Sequence, residues 1–293
     1  MDVSIIIVNY NSISLLLDAI DSVLDKTEDI VYEIIVVDNN SADDSRRIIG
    51  QKYNEQVKYL ALPENIGFGR ANNEGIKIAR GRHIFLLNPD TVLQNNAVKI
   101  LSDFLDGNSQ VGVVGANLYN DDGTYQPSFF QMYPSLKIEL SNLFHLMFFQ
   151  NKQNINQTDQ AIKTKSVVGA AMMVKKEVIE KVGGFDPRFF MYAEEEEWCN
   201  RIRKAGFLVF NVPAAKIIHL DGKSFQFSEN RLKRRLEGTR TLYRISYSRF
   251  YCTMLKAVEY ITIISRLVIF RVLKQDEKIQ YWSFMYKNRK WYG

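Results

Sequence analysis

The sequence predicts an α/β fold whose central sheet is mostly parallel and covered by helices on both faces. Three observations carry that expectation. Residues 4–8, 33–37 and 83–87 are continuous apolar runs rich in Ile, Val and Leu, the composition of strands buried on both faces. Residues 13–24, 43–52 and 69–79 intervene with the apolar spacing of helices, and strand–helix repetition at this interval argues for parallel βαβ units. Each run also ends in a polar cluster: Asn9-Tyr10-Asn11, Asp38-Asn39-Asn40-Ser41 and Asn88-Pro89-Asp90-Thr91. Ligands of such sheets sit at the carboxyl ends of the strands. One cluster of this kind is ordinary turn chemistry; three aligned on one edge mark a site.

The second half continues with an apolar strand at residues 111–116 and an apolar, helix-compatible stretch at 135–149. Residues 151–165 are polar and amide-rich and read as a loop. Residues 167–174 read as one small-residue strand, 176–182 as a helix, and 208–212 and 216–220 as two short strands. Beyond Ser228 the pattern is helical almost to the end. The expected organisation is a domain over residues 1–228 and a basic, amphipathic helical extension over 229–293.

A chain of 293 residues with 46% apolar and 24% charged residues is long enough to bury a large core. Cys199 and Cys252 lie far apart and build neither a disulfide framework nor a zinc spacing, which fits a reducing compartment. The start, Met1-Asp2-Val3-Ser4, reads as the approach to a core strand rather than a signal peptide, so a cytoplasmic location is expected. The net charge of +5 hides an asymmetry. Residues 230–293 hold 15 Lys+Arg against 4 Asp+Glu, leaving 23 against 29 for the preceding 229 residues. A mildly acidic body is not a nucleic-acid reader, whereas the basic tail suits an anionic surface. Packing on the body, a homodimer contact and peripheral attachment to the inner face of the cell membrane are its three possible roles.

Beyond the Asn9-Tyr10-Asn11 cluster, the residues that carry chemistry fall in four segments. Asp38 ends a strand, where a carboxylate can accept the imide N–H of uracil or thymine or bond ribose hydroxyls; the plain alternative is an Asx turn capping the next helix. The stretch Asn65-Ile66-Gly67-Phe68-Gly69-Arg70-Ala71-Asn72-Asn73 resembles a Gly-rich phosphate loop. It fails the dinucleotide fingerprint, because Asn72 stands where the third glycine belongs, and it lacks the Gly-Lys-Ser/Thr end of a P-loop. Its glycines leave room for backbone N–H groups to approach a nucleotide, and its asparagines offer amides. In Asn88-Pro89-Asp90, a carboxylate held by a proline-stiffened turn is a fair ligand for Mg²⁺ or Mn²⁺, metals that use one or two carboxylates and take phosphates and water for the rest. Finally, Phe189-Phe190-Met191-Tyr192 lead into Glu194-Glu195-Glu196-Glu197 at a helix start. The helix macrodipole offsets part of their repulsion, about 0.3–1 kcal/mol per group, and an apolar approach makes a carboxylate a better general base.

Together these segments resemble the family 2 glycosyltransferases of the GT-A fold, in particular the bacterial rhamnosyltransferase-like branch, over roughly residues 3–222. The resemblance rests on Ile5-Ile6-Ile7-Val8-Asn9-Tyr10-Asn11-Ser12, Val36-Val37-Asp38-Asn39-Asn40-Ser41, the 65–75 stretch, Leu86-Leu87-Asn88-Pro89-Asp90-Thr91 and residues 183–201. It implies that Asn9, Tyr10 and Asp38 hold the nucleoside, with Asn40, Asn65, Gly67, Phe68, Asn72 and Asn88 around the nucleotide-sugar. Asn88-Pro89-Asp90 would replace the family's Asp-x-Asp, with Asp90 on the metal–diphosphate. His219 would approach the metal or diphosphate, although an isolated strand-end histidine is commonly structural. The family's Tyr-Gly-Glu-Asp-x-Asp becomes Tyr192-Ala193-Glu194-Glu195-Glu196-Glu197 here, so the implied base is Glu195, with Glu194 its nearest rival.

The implied reaction is an inverting, metal-assisted transfer from a nucleotide-diphosphate sugar, dTDP-rhamnose by the branch resemblance, to a growing surface glycan on a lipid carrier. A UDP-hexose transferase with another glycan acceptor is the second reading. A nucleotide-sugar-binding subunit without turnover is the third.

Overall fold

The computed structural model describes residues 1–144, 154–220 and 229–290. The elements in chain order are β1 (Val3–Asn9), α1 (Ile13–Lys26), β2 (Tyr32–Asp38), α2 (Ser45–Tyr53), β3 (Val57–Ala61), α3 (Phe68–Ile78), β4 (His83–Leu87), β5 (Thr91–Leu93), α4 (Ala97–Gly107), β6 (Val111–Tyr119), β7 (Phe129–Phe130), α5 (Leu136–Leu143), β8 (Ile162–Lys163), β9 (Ser166–Val167), β10 (Ala171–Lys175), α6 (Lys176–Val182), α7 (Glu194–Lys204), β11 (Leu208–His219), α8 (Glu229–Ser246), α9 (Arg249–Val272) and α10 (Asp276–Lys287). Two compact units are formed, Met1–Met132 with Lys152–Phe225 and Tyr133–Asn151 with Gln226–Gly293. Among the described residues, 133–144 therefore group with the C-terminal helices.

In the first unit, the described strands order as β3-β2-β1-β4-β10-β6-β11-β5, with β8 added on β11. The β3-β2-β1-β4 half is parallel throughout. The other half is mixed: β10 runs antiparallel to β4 and β6, and β11 parallel to β6 but antiparallel to β5 and β8. The strict side-chain alternation of a strand sends Ile5, Ile7 and Phe85 into one core with Leu16 and Ile20 of α1 and Leu101 and Leu105 of α4. It sends Ile6 and Leu86 into the opposite core with Ala71 of α3 and Trp198 and Ile202 of α7.

The departures from the sequence reading have local causes. Residues 167–174 are two strands, because β9 pairs with β7 in a separate ribbon while β10 enters the main sheet. Residues 208–220 hold one long strand whose register against β6 slips between Val212 and Lys216, where Pro213 has no N–H for a ladder. The tract read as a loop ends in the short strand β8, and the edge strands β3 and β5 carry too little apolar pattern to be read. The helix expected over 135–149 is present as α5; His145 lies outside the described residues, as does Asp221-Gly222-Lys223-Ser224.

The second unit packs α5, α8 and α10 on α9. Ser248 caps α9, its Oγ accepting from the Tyr251 N–H at 3.3 Å. Tyr243 donates to Glu139 at 2.6 Å and Tyr247 to the Pro134 carbonyl at 2.6 Å, which ties α5 into the bundle. Arg240 pairs with Glu259 at 2.7 Å on the buried side. Among the described residues no helix is long and apolar enough to cross a membrane.

Candidate functional site

The carboxyl ends of β1, β2 and β4 bring the three polar clusters to one edge of the sheet. Asn9 lies opposite Asp38 in the β1–β2 register. It is fully buried, and its amide donates to Asp38 Oδ1 at 3.1 Å, Ser41 Oγ at 3.1 Å and Ser45 Oγ at 2.9 Å. Its side chain therefore builds the 38–45 loop from beneath. Asp38 also accepts the Ser41 N–H at 3.1 Å, three residues on, a local turn bond that does not cap α2, which starts only at Ser45. Tyr59, on β3, stands beside this carboxylate; burial first, and then the Asp38 charge, push its phenol up. Tyr10, directly after β1, is 47% exposed. Asn40 has φ +64°, the left-handed conformation that asparagine tolerates best after glycine.

The 65–67 turn that leads into α3 is tied to this edge by Asn39, whose amide donates to Asn65 Oδ1 at 2.9 Å and whose Oδ1 accepts the Ile66 N–H at 2.9 Å. The glycines serve a different purpose from the one expected. Gly67 has φ +88° and ψ 170°, and a methyl there would lie 2.3 Å from the Phe190 carbonyl oxygen. Phe68 N–H donates to that same carbonyl at 2.9 Å. The missing side chain thus admits the aromatic approach of the acidic helix rather than a phosphate. Gly67→Ala should cost about 1–3 kcal/mol, since this backbone region is essentially glycine-only, and thermal unfolding would register it. Asn72 donates to the Phe68 carbonyl at 3.1 Å. Asn73 both donates to the Phe185 carbonyl at 2.8 Å and accepts its N–H at 2.9 Å. Both amides are therefore engaged within the protein.

At the end of β4, Asn88 N–H donates to the Ala170 carbonyl at 2.9 Å and Thr91 Oγ1 to the Asn88 carbonyl at 2.6 Å. The Leu220 N–H meets the Asp90 carbonyl at 2.8 Å, and the β5–β11 register sets His219 opposite Thr91. These main-chain bonds place the His219 Nε2 3.5 Å from Asp90 Oδ1. Both atoms are buried without a hydrogen-bond partner, and so is Asn88 Oδ1.

The acidic helix α7 opens after two consecutive left-handed residues, Tyr192 (φ +72°) and Ala193 (φ +70°), a strained entry of the kind held only where surrounding structure over-determines it. The turn before it is fixed by Trp198 Nε1 donating to Gly183 O at 2.8 Å and by Arg201 donating to Val182 O at 2.6 Å and Gly184 O at 2.7 Å. The four glutamates then separate by direction, as a rotation of about 100° per residue demands. Glu197 is buried and pairs with Arg201 at 2.7 Å. Glu194 is 3% exposed, with Oε2 unpartnered; burial first, then the charges of Glu195 and Glu196, hold its carboxyl well above the usual range. Glu195 is half-buried and flanks Gly169: a methyl at that glycine would lie 3.8 Å from Glu195 Cβ and 3.7 Å from Phe68 Cε1. Gly169 adjoins Ala170, whose carbonyl receives Asn88. Glu195 thus lies beside Gly169, one residue from the Ala170 carbonyl that accepts the Asn88 N–H.

Residues 4–183 match the family described as Glycosyl transferase family 2. The chain belongs to that family. Residues 151–223 also match the N-terminal domain of galactosyltransferase. Among similar curated proteins, an N-acetylglucosaminyl-diphospho-decaprenol L-rhamnosyltransferase of Mycobacterium tuberculosis is 25% identical over 202 residues, covering 64% of this chain and 66% of its own length. A dTDP-rhamnosyl transferase, RfbF, of Shigella flexneri is 28% identical over 57% of this chain and 53% of its own. The chain thus spans under two thirds of each of these two relatives. A low-salt glycan biosynthesis hexosyltransferase, Agl10, of Haloferax volcanii is 24% identical over 96% of this chain and 87% of its own.

Solved structures of GalNAc-T7 with UDP, GalNAc and Mn²⁺ and of S. aureus TarS 1-349 superpose with TM-scores of 0.60 and 0.55. The first is 18% identical and covers 81% of this chain and 47% of its own; the second is 14% identical and covers 100% and 93%. They share the GT-A fold with this glycosyltransferase-family chain. Sequence reasoning did not single out Tyr59 or Gln126; a tyrosine on a short edge strand and an amide within a loop carry no motif of their own.

Proposed function

We propose that the protein is an inverting glycosyltransferase that moves a sugar from a nucleoside-diphosphate donor to a hydroxyl of a surface glycan carried on a lipid. The observation that carries this reading is the Asp90–His219 pair, whose Oδ1 and Nε2 are buried without a hydrogen-bond partner 3.5 Å apart at the sheet edge where ligands sit; with the ring proton on Nδ1, Nε2 faces Asp90 as a second acceptor. Facing acceptors repel unless a proton or a cation lies between them. A carboxylate oxygen suits Mg²⁺ or Mn²⁺, and an imidazole nitrogen favours the softer Mn²⁺. Asp90 and His219 would therefore hold the cation, leaving the rest of its shell to diphosphate oxygens and water. Once bound, it would neutralise charge on the departing diphosphate.

The chain's own groups supply the remainder. Asp38 and Tyr10 receive the nucleoside, the carboxylate accepting from the base or ribose and the ring stacking. Asn9, Asn40 and Asn65 shape that pocket, while Gly67, Phe68 and Asn72 seat the acidic helix beside it. Glu195 takes the proton of the acceptor hydroxyl as its oxygen bonds the anomeric carbon, while the carbon–oxygen bond to the diphosphate breaks and its electron pair leaves with the diphosphate. A single displacement from the opposite face inverts the anomeric centre.

The names of two relatives support transfer of rhamnose, one of them from dTDP, and the near full-length match to a hexosyltransferase supports a hexose, with UDP as its carrier, as the second reading. Mass spectrometry of products formed from dTDP-rhamnose and UDP-hexoses with a polyprenyl-diphosphate glycan acceptor decides between them. Transfer of neither sugar, with nucleotide bound tightly, would leave the non-catalytic binding subunit.

The extension suits the inner, anionic face of a membrane. On α9, Phe250, Met254, Ile261, Ile264, Val268 and Val272 are exposed and recur at helical spacing. The charged residues exposed on that helix are Arg249, Lys256 and Arg271, with no carboxylate among them. Apolar residues in the acyl boundary with cations at the headgroups define an interfacial helix. Liposomes containing phosphatidylserine should float the protein at low salt and release it at high salt, and Ile261→Asp with Val268→Asp should abolish binding. No flotation at low salt, with a dimer in sedimentation, would assign the face to a second copy instead.

A further inference from the structure

We propose that Gln126, held by the 120–126 loop, is a positioning residue that fixes the tautomer of His219 and so directs the Nε2 lone pair at the cation site. The inference rests on the reading of Asp90 and His219 as the cation's protein ligands. It follows from a proton count along one hydrogen-bonded chain. Asp122 is an acceptor, and its Oδ1 receives both the Thr124 N–H at 3.0 Å and the Thr124 hydroxyl at 2.6 Å. The threonine has no second proton, so at 2.8 Å it is Asn120 that donates through Nδ2 to Thr124 Oγ1. Asn120 Oδ1 is then the acceptor for Gln126 Nε2 at 2.6 Å, and that same amide nitrogen donates to the His219 main-chain carbonyl at 2.7 Å.

The orientation of the Gln126 amide is thereby set from two sides. Its Oε1 faces His219 Nδ1 at 3.0 Å, and two acceptors cannot share a hydrogen bond, so Nδ1 carries the proton. In the neutral ring the lone pair is left on Nε2, the buried atom directed at Asp90 Oδ1. A ligating histidine whose other ring N–H is donated to a carbonyl is both fixed in orientation and more basic at the ligating nitrogen. The loop that supplies this carbonyl extends from β6, which pairs with β11 next to His219. A turn with no contact to the reacting atoms thus sets which nitrogen of His219 can ligate.

The chain contains three histidines, which makes the tautomer readable by ¹⁵N–¹H long-range correlation on the whole protein without metal, at a pH where the ring is neutral. The Nδ1–H tautomer is expected in the wild type. Gln126→Leu should move His219 toward Nε2–H or a mixture, and Gln126→Glu, which keeps an acceptor, should retain Nδ1–H. Titration with Mn²⁺ in the presence of UDP or dTDP, followed by the EPR signal of free Mn²⁺, should show about 10–100-fold weaker binding for Gln126→Leu. His219→Ala should weaken it at least as much, and the double variant should match His219→Ala alone. An Nε2–H tautomer in the wild type, or a Gln126→Leu protein with unchanged tautomer and Mn²⁺ affinity, overturns the proposal. If His219→Ala and Asp90→Ala bind Mn²⁺ as the wild type does, the cation reading itself fails, and the metal-free tautomer measurement still reports on Gln126.

Discussion

Glu195→Gln is expected to lower kcat by about 10²–10⁴-fold, the contribution of a positioned general base, while leaving donor affinity at the wild-type level. The geometry separates it from its neighbours. Glu197 is committed to Arg201, so Glu197→Gln should loosen the Gly183–Gly184 turn and appear as lost stability. Glu196→Gln should be close to wild type in turnover. Glu194 is the informative control. Burial first, and then the adjacent Glu195 and Glu196 charges, hold its carboxyl well above the usual range, which favours the protonated form, and a protonated carboxyl cannot take a proton. Glu194→Gln therefore keeps a neutral side chain of the same size and should retain most of its activity. Single-turnover kinetics of the four variants reads the difference. A dead Glu194→Gln beside an active Glu195→Gln would move the base by one residue.

The same burial gives a pH signature in stability. A carboxyl whose folded pKa is raised holds its proton in the native state at a pH where the unfolded chain has released it. Stability is thus fully present below the unfolded value, near 4.5, and declines as pH rises from there toward the raised folded pKa. Glu194→Gln removes that decline. The variant should gain in Tm over the wild type at pH 8 relative to pH 5, and an equal difference at both would show that Glu194 is not the neutral group.

Much of this arrangement is legible in the sequence because its cause is local. The runs at 4–8, 33–37 and 83–87 are buried on both faces and carry their own pattern, and the polar clusters that follow them must lie at the strand ends. The acidic run marks itself through like charge at consecutive positions. What is not legible depends on long-range pairing. His219 acquires meaning only when β11 pairs with β5 and faces it toward Asp90. The asparagines of the 65–73 stretch read as ligand contacts, yet Asn72 and Asn73 spend their amides on Phe68 and Phe185. The Asn72 bond is local, one helical turn back, whereas the Asn73 partner lies 112 residues away and leaves no local trace. The glycine at 67 is visible as a glycine, but its neighbour is Phe190, a contact that only the fold creates.

Asp90→Ala should abolish the metal-dependent part of nucleotide affinity and lower turnover by about 10³-fold, the several kcal/mol that a cation contributes to stabilising a leaving diphosphate. Asp90→Asn should be nearly as damaging, because a neutral amide oxygen is a weaker ligand than a carboxylate for a hard cation. The turn itself offers a built-in control. Its folding bonds run through main-chain atoms: the Asn88 N–H to Ala170, the Asn88 carbonyl to Thr91, and the Asp90 carbonyl to Leu220. Side-chain removal at Asp90 leaves all three in place, and it also relieves a buried oxygen that has no partner. Both variants are therefore expected to unfold at or above the wild-type temperature while losing function, a combination that a merely structural turn residue cannot produce. Full turnover of Asp90→Ala in the presence of a chelator would reduce Asn88-Pro89-Asp90 to a turn and leave His219 without a cation to hold.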